Sequence, residues 1–401
     1  MKVNPPSSQP QRLRVLRIQS RICIGGPALN TILLSAHLNK EKYETLLVGG
    51  RLQSDEKSMA PLAEEKGVTV EMIHEMGRSL HWADDVKALL RMIGLIRKFK
   101  PHIVHTHTAK AGAIGRVAAF LCRVPIRVHT FHGHTFHGYF SRRVTQLVIL
   151  VERILARLSQ RIVVISQRQK EDICEVYKVA PAHKTTVVPL GFELDKVCTG
   201  ERGNFRRSLG LDEKATLVAI LARLVPIKNH ELLLRGIGHW QSLCPTVTAQ
   251  QVRFLLIGDG DQRPRLEALC SELGIDQLVL FTGWRREVAD IYADINLNVL
   301  VSKNEGTPVT LIEGLANGIP LLSTDVGGIR DFADEHCGTI LPADVSAEEL
   351  GKQLARMLPY GKAPERLAES VRLRIKKQFG VERLVADMES LYGSLSDKYL
   401  K

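Results

Sequence analysis

The chain has 401 residues, 44% of them hydrophobic and 24% charged, with a formal net charge of +12. That length holds two domains of ordinary size, and that balance excludes a disordered chain. Aromatic residues make up only 5% and no basic stretch is interleaved with them, so a stacking platform for nucleic acid is excluded and an anionic substrate or an anionic membrane surface is left as partner of the excess charge.

The start, MKVNPPSSQPQRLR, is polar and proline-rich without the apolar core of a secretory signal, so residues 1–12 read as a disordered tail. LRVLRI (13–18) reads as the first strand, and IGGPALNTILLSAHL (24–38) as a glycine turn followed by an amphipathic helix. TLLVGG (45–50) is a second strand, and ADDVKALLRMIGLIRKFKPHIVHTHT (83–108) is a helix, a turn at Pro101 and a strand. A small-residue helix, KAGAIGRVAAFLCRV, leads to the strand IRVHTFHGH (126–134) with its exit loop. A long helix, the strand RIVVIS (161–166) and TTVVPLG (185–191) close the first half. The second half repeats the pattern with TLVAILARL (216–224), VRFLLIGDG (252–260), LVLFTGW (278–284), NLNVLV (296–301) and IPLLSTDVGG (319–328) as strands.

Strands alternating with helices predict right-handed parallel units, hence an α/β chain of two doubly wound, Rossmann-like domains. The break near residues 190–200 sets the domains at 13–190 and 191–380. Residues 381–401 form an amphipathic helix that needs a surface to cover. Ligands of open α/β sheets bind at the carboxyl ends of the strands, so a cleft faced by two such domains is the expected site. Seven scattered cysteines without metal-ligand spacing predict reduced thiols in a cytosol, and no stretch approaches the roughly 18–20 apolar residues of a membrane span.

The most informative stretch is SKNEGTPVTLIEGLANGIP (302–320). Thr307 is the expected N-cap, Pro308 the first helical residue, and Gly318 with Pro320 the stop. Glu305 precedes this helix and Glu313 lies inside it. An acid at the mouth of a helix start suits a ligand with both phosphate and hydroxyl groups, because free N–H groups there attract anions. Two solvated glutamates are the bland alternative.

Gly25 and Gly26 follow the first strand. They allow either a tight turn or a close approach to a diphosphate, although GGPALN lacks the third glycine of a dinucleotide fingerprint. Arg223 and Lys228, in ARLVPIKNH, offer a forked and a point-like cation for two phosphates. No acidic cluster with metal-ligand spacing is visible, so these cations could replace a divalent metal beside a diphosphate leaving group. His105, His107, His129, His132, His134 and His137 crowd two adjacent strand exits, where contacts to sugar hydroxyls or phosphates are favoured over zinc. Basic residues also line two helical segments, Lys87–Lys100 and Arg142–Arg161, as on a solvated face or on a helix lying against an anionic leaflet.

Taken in order, GGPALNTILLSAHL, HTHTAKAGAIGRVAA, HTFHGHTF, VVISQRQKEDI, ARLVPIKNH, LLIGDGDQRPRLE, FTGWRREVADIYADINLNVLVS, EGTPVTLIEGLANGIP and STDVGGIRD resemble the retaining family-4 glycosyltransferases of the GT-B fold, of the bacterial surface-polysaccharide type. The resemblance covers about residues 13 to 395. It implies an N-terminal acceptor domain, a C-terminal nucleotide-sugar domain and a last helix that crosses back to the N-terminal domain.

The resemblance also implies roles. Glu313 would bind the ribose and Glu305 the transferred sugar. The N–H groups of Gly306, Thr307 and Val309 would face that sugar and the distal phosphate. Arg223 and Lys228 would hold the diphosphate, with the Gly25–Gly26 turn closing on it, and Trp284 would lie near the base. His132 would sit close to the reacting sugar, with His105, His107 and His134 on the acceptor side. Two departures stand out. Pro308 has no N–H where many members offer one, and Gly314 replaces the usual alanine, with little consequence expected.

The expected activity is transfer of a hexosyl or N-acetylhexosaminyl group from a nucleotide diphosphate sugar, UDP-linked by expectation, to a hydroxyl of a lipid-linked or other glycan. Configuration would be retained and no metal or other cofactor needed. The expected location is the cytoplasm, peripheral on the inner face of the membrane. A non-hydrolysing sugar epimerase, which would need no acceptor, and a non-catalytic sugar-nucleotide or glycan-binding subunit are the alternatives.

Overall fold

The computed structural model describes residues 12–53, 56–77, 81–133, 136 and 141–400. The expected tail, except residue 12, and His134 lie outside these. The backbone divides into two units. The first runs to Phe192 and resumes at Val381, and the second is Glu193–Gly380.

The first unit holds a seven-stranded parallel sheet of β1 (Leu13–Ile18), β2 (Tyr43–Gly50), β3 (Val70–Ile73), β4 (Ile103–His107), β5 (Ile126–Phe131), β6 (Arg161–Val164) and β7 (Thr185–Val187), in the order β3-β2-β1-β4-β5-β6-β7. Alternate residues of one strand serve opposite faces, as the period of two requires. Val15, Ile103 and Ile126 join a core under the last helix, while Leu16 and Val104 join one under the helices Trp82–Phe99 and Ala109–Leu121. The last helix, Val381–Tyr399, buries Leu384, Met388, Leu391, Tyr392 and Leu395 in the first of these cores. Its stripe of apolar residues therefore finds its surface on the N-terminal sheet.

The second unit holds a six-stranded parallel sheet of β8 (Thr216–Leu221), β9 (Val252–Ile257), β10 (Val279–Gly283), β11 (Leu297–Leu300), β12 (Leu321–Thr324) and β13 (Gly338–Leu341), in the order β10-β9-β8-β11-β12-β13. Again the faces alternate, with Val218 and Ile220 in one core and Leu217 and Ala219 in the other. In each sheet the strand order reverses beside the first strand, at β1/β4 and at β8/β11. A reversal of this kind splits the crossover helices to opposite faces and opens a crevice at the strand carboxyl ends. The segments with Gly25 and Gly26, with His105 and His107, with Arg223 and Lys228 and with Glu305 lie at or follow the strands of these two points, while those with His132 and Trp284 follow β5 and β10.

Candidate functional site

In the second unit the helix after β11 spans Val309–Ala316, with Pro308 as its extended N-cap (φ −76°, ψ 97°). It thus begins one residue later than expected, and Thr307 does not cap it. Instead Thr307 Oγ1 is buried with no partner among the described residues. The stop is as expected. Gly318 takes φ 75°, its N–H donates to Leu315 O at 2.9 Å, and that of Ile319 donates to Gly314 O at 2.9 Å, the double closure of a left-handed helix end. Gly314 proves to matter for packing, since a Cβ there would lie 2.6 Å from Nδ2 of Asn298, which donates to Thr310 O at 2.7 Å.

Glu305 Oε1 accepts from Lys228 Nζ at 2.5 Å and from Ser302 Oγ at 2.6 Å. The β11 loop is pinned to the β8 loop by Lys303 N–H donating to Ile227 O at 2.9 Å. The glycine turn after β12 backs it. Gly328 N–H donates to Gly306 O at 2.8 Å, and at Gly327 (φ 61°) a Cβ would lie 2.4 Å from Glu305 O. Arg223 is exposed on the β8 loop, and Trp284, 37% exposed, follows β10.

Glu313 is the other acid of the stretch. Its Oε2 lies 2.8 Å from the Tyr292 hydroxyl, which is also 3.0 Å from Thr310 O. One phenolic proton cannot serve both acceptors, a geometry that welcomes a proton on Glu313. Glu313 keeps some exposed surface, yet burial of its carboxyl raises the pKa to about 7, against the lowering effect of the Tyr292 bond.

At the first switch point, Gly25 precedes the helix Gly26–His37 and its carbonyl accepts from Leu29 N–H at 3.1 Å. The histidines are organised by hydroxyls and by each other. Arg17 Nη2 donates to the Tyr392 hydroxyl at 3.3 Å, so Tyr392 donates in turn to His105 Nδ1 at 2.7 Å, and His105 Nε2 is left to donate to Thr130 Oγ1 at 2.7 Å. Both nitrogens of His105 are engaged and 1% of its surface is exposed. His129 is similarly committed to Thr106 Oγ1 at 2.8 Å. His107 Nδ1 lies 2.9 Å from His132 Nε2. Burial holds His132 down at about 4 and the other three well below their ordinary value, with Arg17 adding to the effect at His105 and His107. These rings are neutral at pH 7 and so suit hydroxyls better than phosphates. Among the described residues no group of three or more His, Cys, Asp or Glu side chains is arranged to hold a metal ion.

Two parallel sheets, each with its chemistry-bearing loops at a switch point, define the GT-B class of α/β proteins. Residues 201–374 match the family described as "Glycosyl transferases group 1", and residues 25–191 match the "Glycosyl transferase 4-like domain". The chain belongs to the group 1, family-4-like glycosyltransferases.

Relatives include the UDP-Gal:alpha-D-GlcNAc-diphosphoundecaprenol alpha-1,3-galactosyltransferase of Escherichia coli, 27% identical over 68% of this chain and 70% of that protein. A D-inositol 3-phosphate glycosyltransferase of Thermobispora bispora is 26% identical over 77% of this chain and 74% of its own. Among solved structures, Anabaena HepE in complex with UDP superposes with a TM-score of 0.78 at 19% identity, covering 96% of this chain and all of that one (100%). The sucrose-phosphate synthase of Thermosynechococcus elongatus gives 0.77 at 18% identity, covering 97% and 100%. Both are likenesses of fold.

Proposed function

We propose that this glycosyltransferase moves a sugar from a UDP-sugar to a hydroxyl of a lipid-linked glycan intermediate, with retention of configuration, at an anionic membrane surface. The observation that carries the reading is the pair of anchored acids, Glu305 on Lys228 and Glu313 on Tyr292, on either side of a helix start at the β8/β11 switch point. The name of the Escherichia coli relative, which specifies UDP-galactose and a diphosphoundecaprenol-linked acceptor, supports the substrate classes. So do the HepE structures with UDP and with UDP-glucose.

In this reading Glu313 takes the ribose hydroxyls, Trp284 flanks the base, and Arg223, Lys228 and the helix start receive the diphosphate. The bond from the anomeric carbon to the phosphate oxygen breaks as the acceptor oxygen bonds to the same face of that carbon. The acceptor proton passes to the departing phosphate, so no enzyme nucleophile is needed. Cations and N–H dipoles stabilise the leaving charge, and loss of one such group costs on the order of 3 kcal/mol, about 100-fold in rate. Glu305, released from Lys228 as the diphosphate arrives, turns to the sugar hydroxyls alongside the N–H groups of Gly306, Thr307 and Val309. The unpartnered Thr307 hydroxyl supplies the donor that Pro308 lacks. His132 faces the reacting sugar and His107 the acceptor side.

The membrane surface is supported by the helix Arg142–Arg157. It exposes Val144, Leu147, Leu150, Val151 and Ile154 beside Arg142, Arg143, Arg153 and Arg157, a basic amphipathic face suited to an anionic leaflet. Among the described residues no helix is long and apolar enough to cross a membrane.

The test is a panel of nucleotide sugars with and without membrane extract. The expected result is nucleoside diphosphate released only when acceptor is present, and a product whose anomeric configuration by NMR matches the donor's. An isomerised sugar formed without acceptor would mark an epimerase, and binding without turnover a non-catalytic subunit.

A further inference from the structure

The second unit holds a polar cavity of about 280 Å³ whose lining includes Pro226, His230, Glu231, Gln262, Arg265 and Lys303. The helices His230–Leu243 and Arg263–Leu273 both present their first turns to it, and helix starts favour anions. None of Arg223, Lys228, Glu305 and Glu313 lines it. The two helices bury Leu233, Leu234, Leu266 and Leu269 in the core of Val218 and Ile220. Glu313 is tied to Tyr292, which packs with Leu217 and Ala219. The cavity and Glu313 therefore belong to opposite faces of the sheet.

His230 is 3% exposed, and neither of its ring nitrogens has a partner among the described residues. Burial above all, with Lys228 adding to it, holds its pKa down at about 4. At neutral pH one nitrogen therefore carries a hydrogen and the other is bare. The ring needs one acceptor and, on its other edge, one donor. Leaving both buried atoms empty is costly.

The charge beside this ring is lopsided. Glu231 accepts from Arg235 Nη2 and from Arg265 Nη2, each at 2.9 Å, and Lys303 acts on the same carboxylate from further off. Three cations thus share one acid, while Lys303 Nζ makes no hydrogen bond among the described residues. An anionic group answers the surplus charge and the His230 N–H. The bare nitrogen asks for a hydroxyl. The volume falls below the roughly 300–1,000 Å³ of pockets for drug-sized ligands, so a nucleotide sugar is too large and a compound of a few carbons fits.

We propose that this cavity binds a small phosphorylated polyol, with Lys303 and Arg265 on the phosphate and His230 on a hydroxyl, apart from the site of sugar transfer. The proposal stands without the sugar-transfer reading, since none of the residues given a part in that reaction lines the cavity.

The test is titration calorimetry of the full-length protein in saturating UDP, with glycerol 3-phosphate as the probe and glycerol and inorganic phosphate in parallel. Glycerol 3-phosphate is expected to bind at one site, inorganic phosphate roughly tenfold more weakly, and glycerol to give no heat. Lys303→Ala and Arg265→Ala, both at exposed positions, should each weaken glycerol 3-phosphate roughly tenfold or more, the worth of a hydrogen bond to a charged group, and leave UDP affinity at the parent's value. His230→Phe should bring glycerol 3-phosphate to the affinity of inorganic phosphate. No heat from glycerol 3-phosphate, unchanged affinity in both cation variants, or inorganic phosphate binding as tightly would overturn the proposal. UDP that fails to bind would count against the sugar-transfer reading alone, and the glycerol 3-phosphate titrations would still decide this site.

Discussion

Glu313 carries its negative charge at a cost. Its folded-state pKa, about 7, stands above the ordinary 4.5. Between those values the folded protein keeps a proton that the unfolded chain has lost, so stability falls as pH rises through that window. The ceiling on the loss is about 3 kcal/mol, reached above pH 7. Glu313→Gln is expected to melt higher than the parent at pH 8 and to bind UDP at least tenfold more weakly by titration calorimetry. In the parent, UDP affinity should strengthen as pH rises past 7. A variant with no thermal gain at pH 8 would refute the strain. The sequence exposes both acids of this stretch. It does not expose the Tyr292 bond, which depends on a residue 21 positions away, nor the spare hydroxyl of Thr307, which appears only because the helix starts one residue late.

Elements buried on both faces were the legible ones. β1, β4, β8, β9 and β11 are mostly buried, with burial unbroken along β4 and β11, and such runs are what a parallel sheet demands. The edge strands β3 and β13 escaped notice, because VEMI and GTIL are four residues each and half-buried, so pairing with β2 and β12 decides them more than composition does. In the histidine-rich strands the sequence does not expose the bonds of His105 to Tyr392 and Thr130 or of His129 to Thr106, each of which depends on residues distant along the chain.

The helix Arg142–Arg157 was legible as basic, but its apolar stripe could have been core. Leu147 is 61% exposed and Ile154 51%, which leaves the stripe facing outward. Leu147→Glu combined with Ile154→Glu should abolish co-sedimentation with anionic vesicles and leave UDP affinity unchanged. Retained sedimentation would dismiss this helix as the anchor.

At the scale of the whole molecule, alternating strands and helices announce two α/β units, and the backbone passes from one to the other after Phe192. The destination of the last helix was not visible in any local pattern. It rested on an unpartnered apolar stripe and on family likeness, and a stripe alone does not say which surface it covers. The structure ties the crossing points together, Val381 N–H donating to Phe192 O at 3.0 Å. Deleting residues 381–401 would uncover Val15, Leu34, Tyr43 and Ile103 and remove Tyr392 from His105. By calorimetry such a chain should keep a transition for the second unit and lose a cooperative one for the first.

The discontinuity of the first unit also orders events during synthesis. The second unit is complete once Gly380 clears the ribosome, while the first still lacks the side of its core that arrives with residues 381–401. The half of the protein made first is therefore the half finished last. His105 cannot take its bond from Tyr392 until residues 381–401 have emerged, so the core of the first unit closes after that of the second.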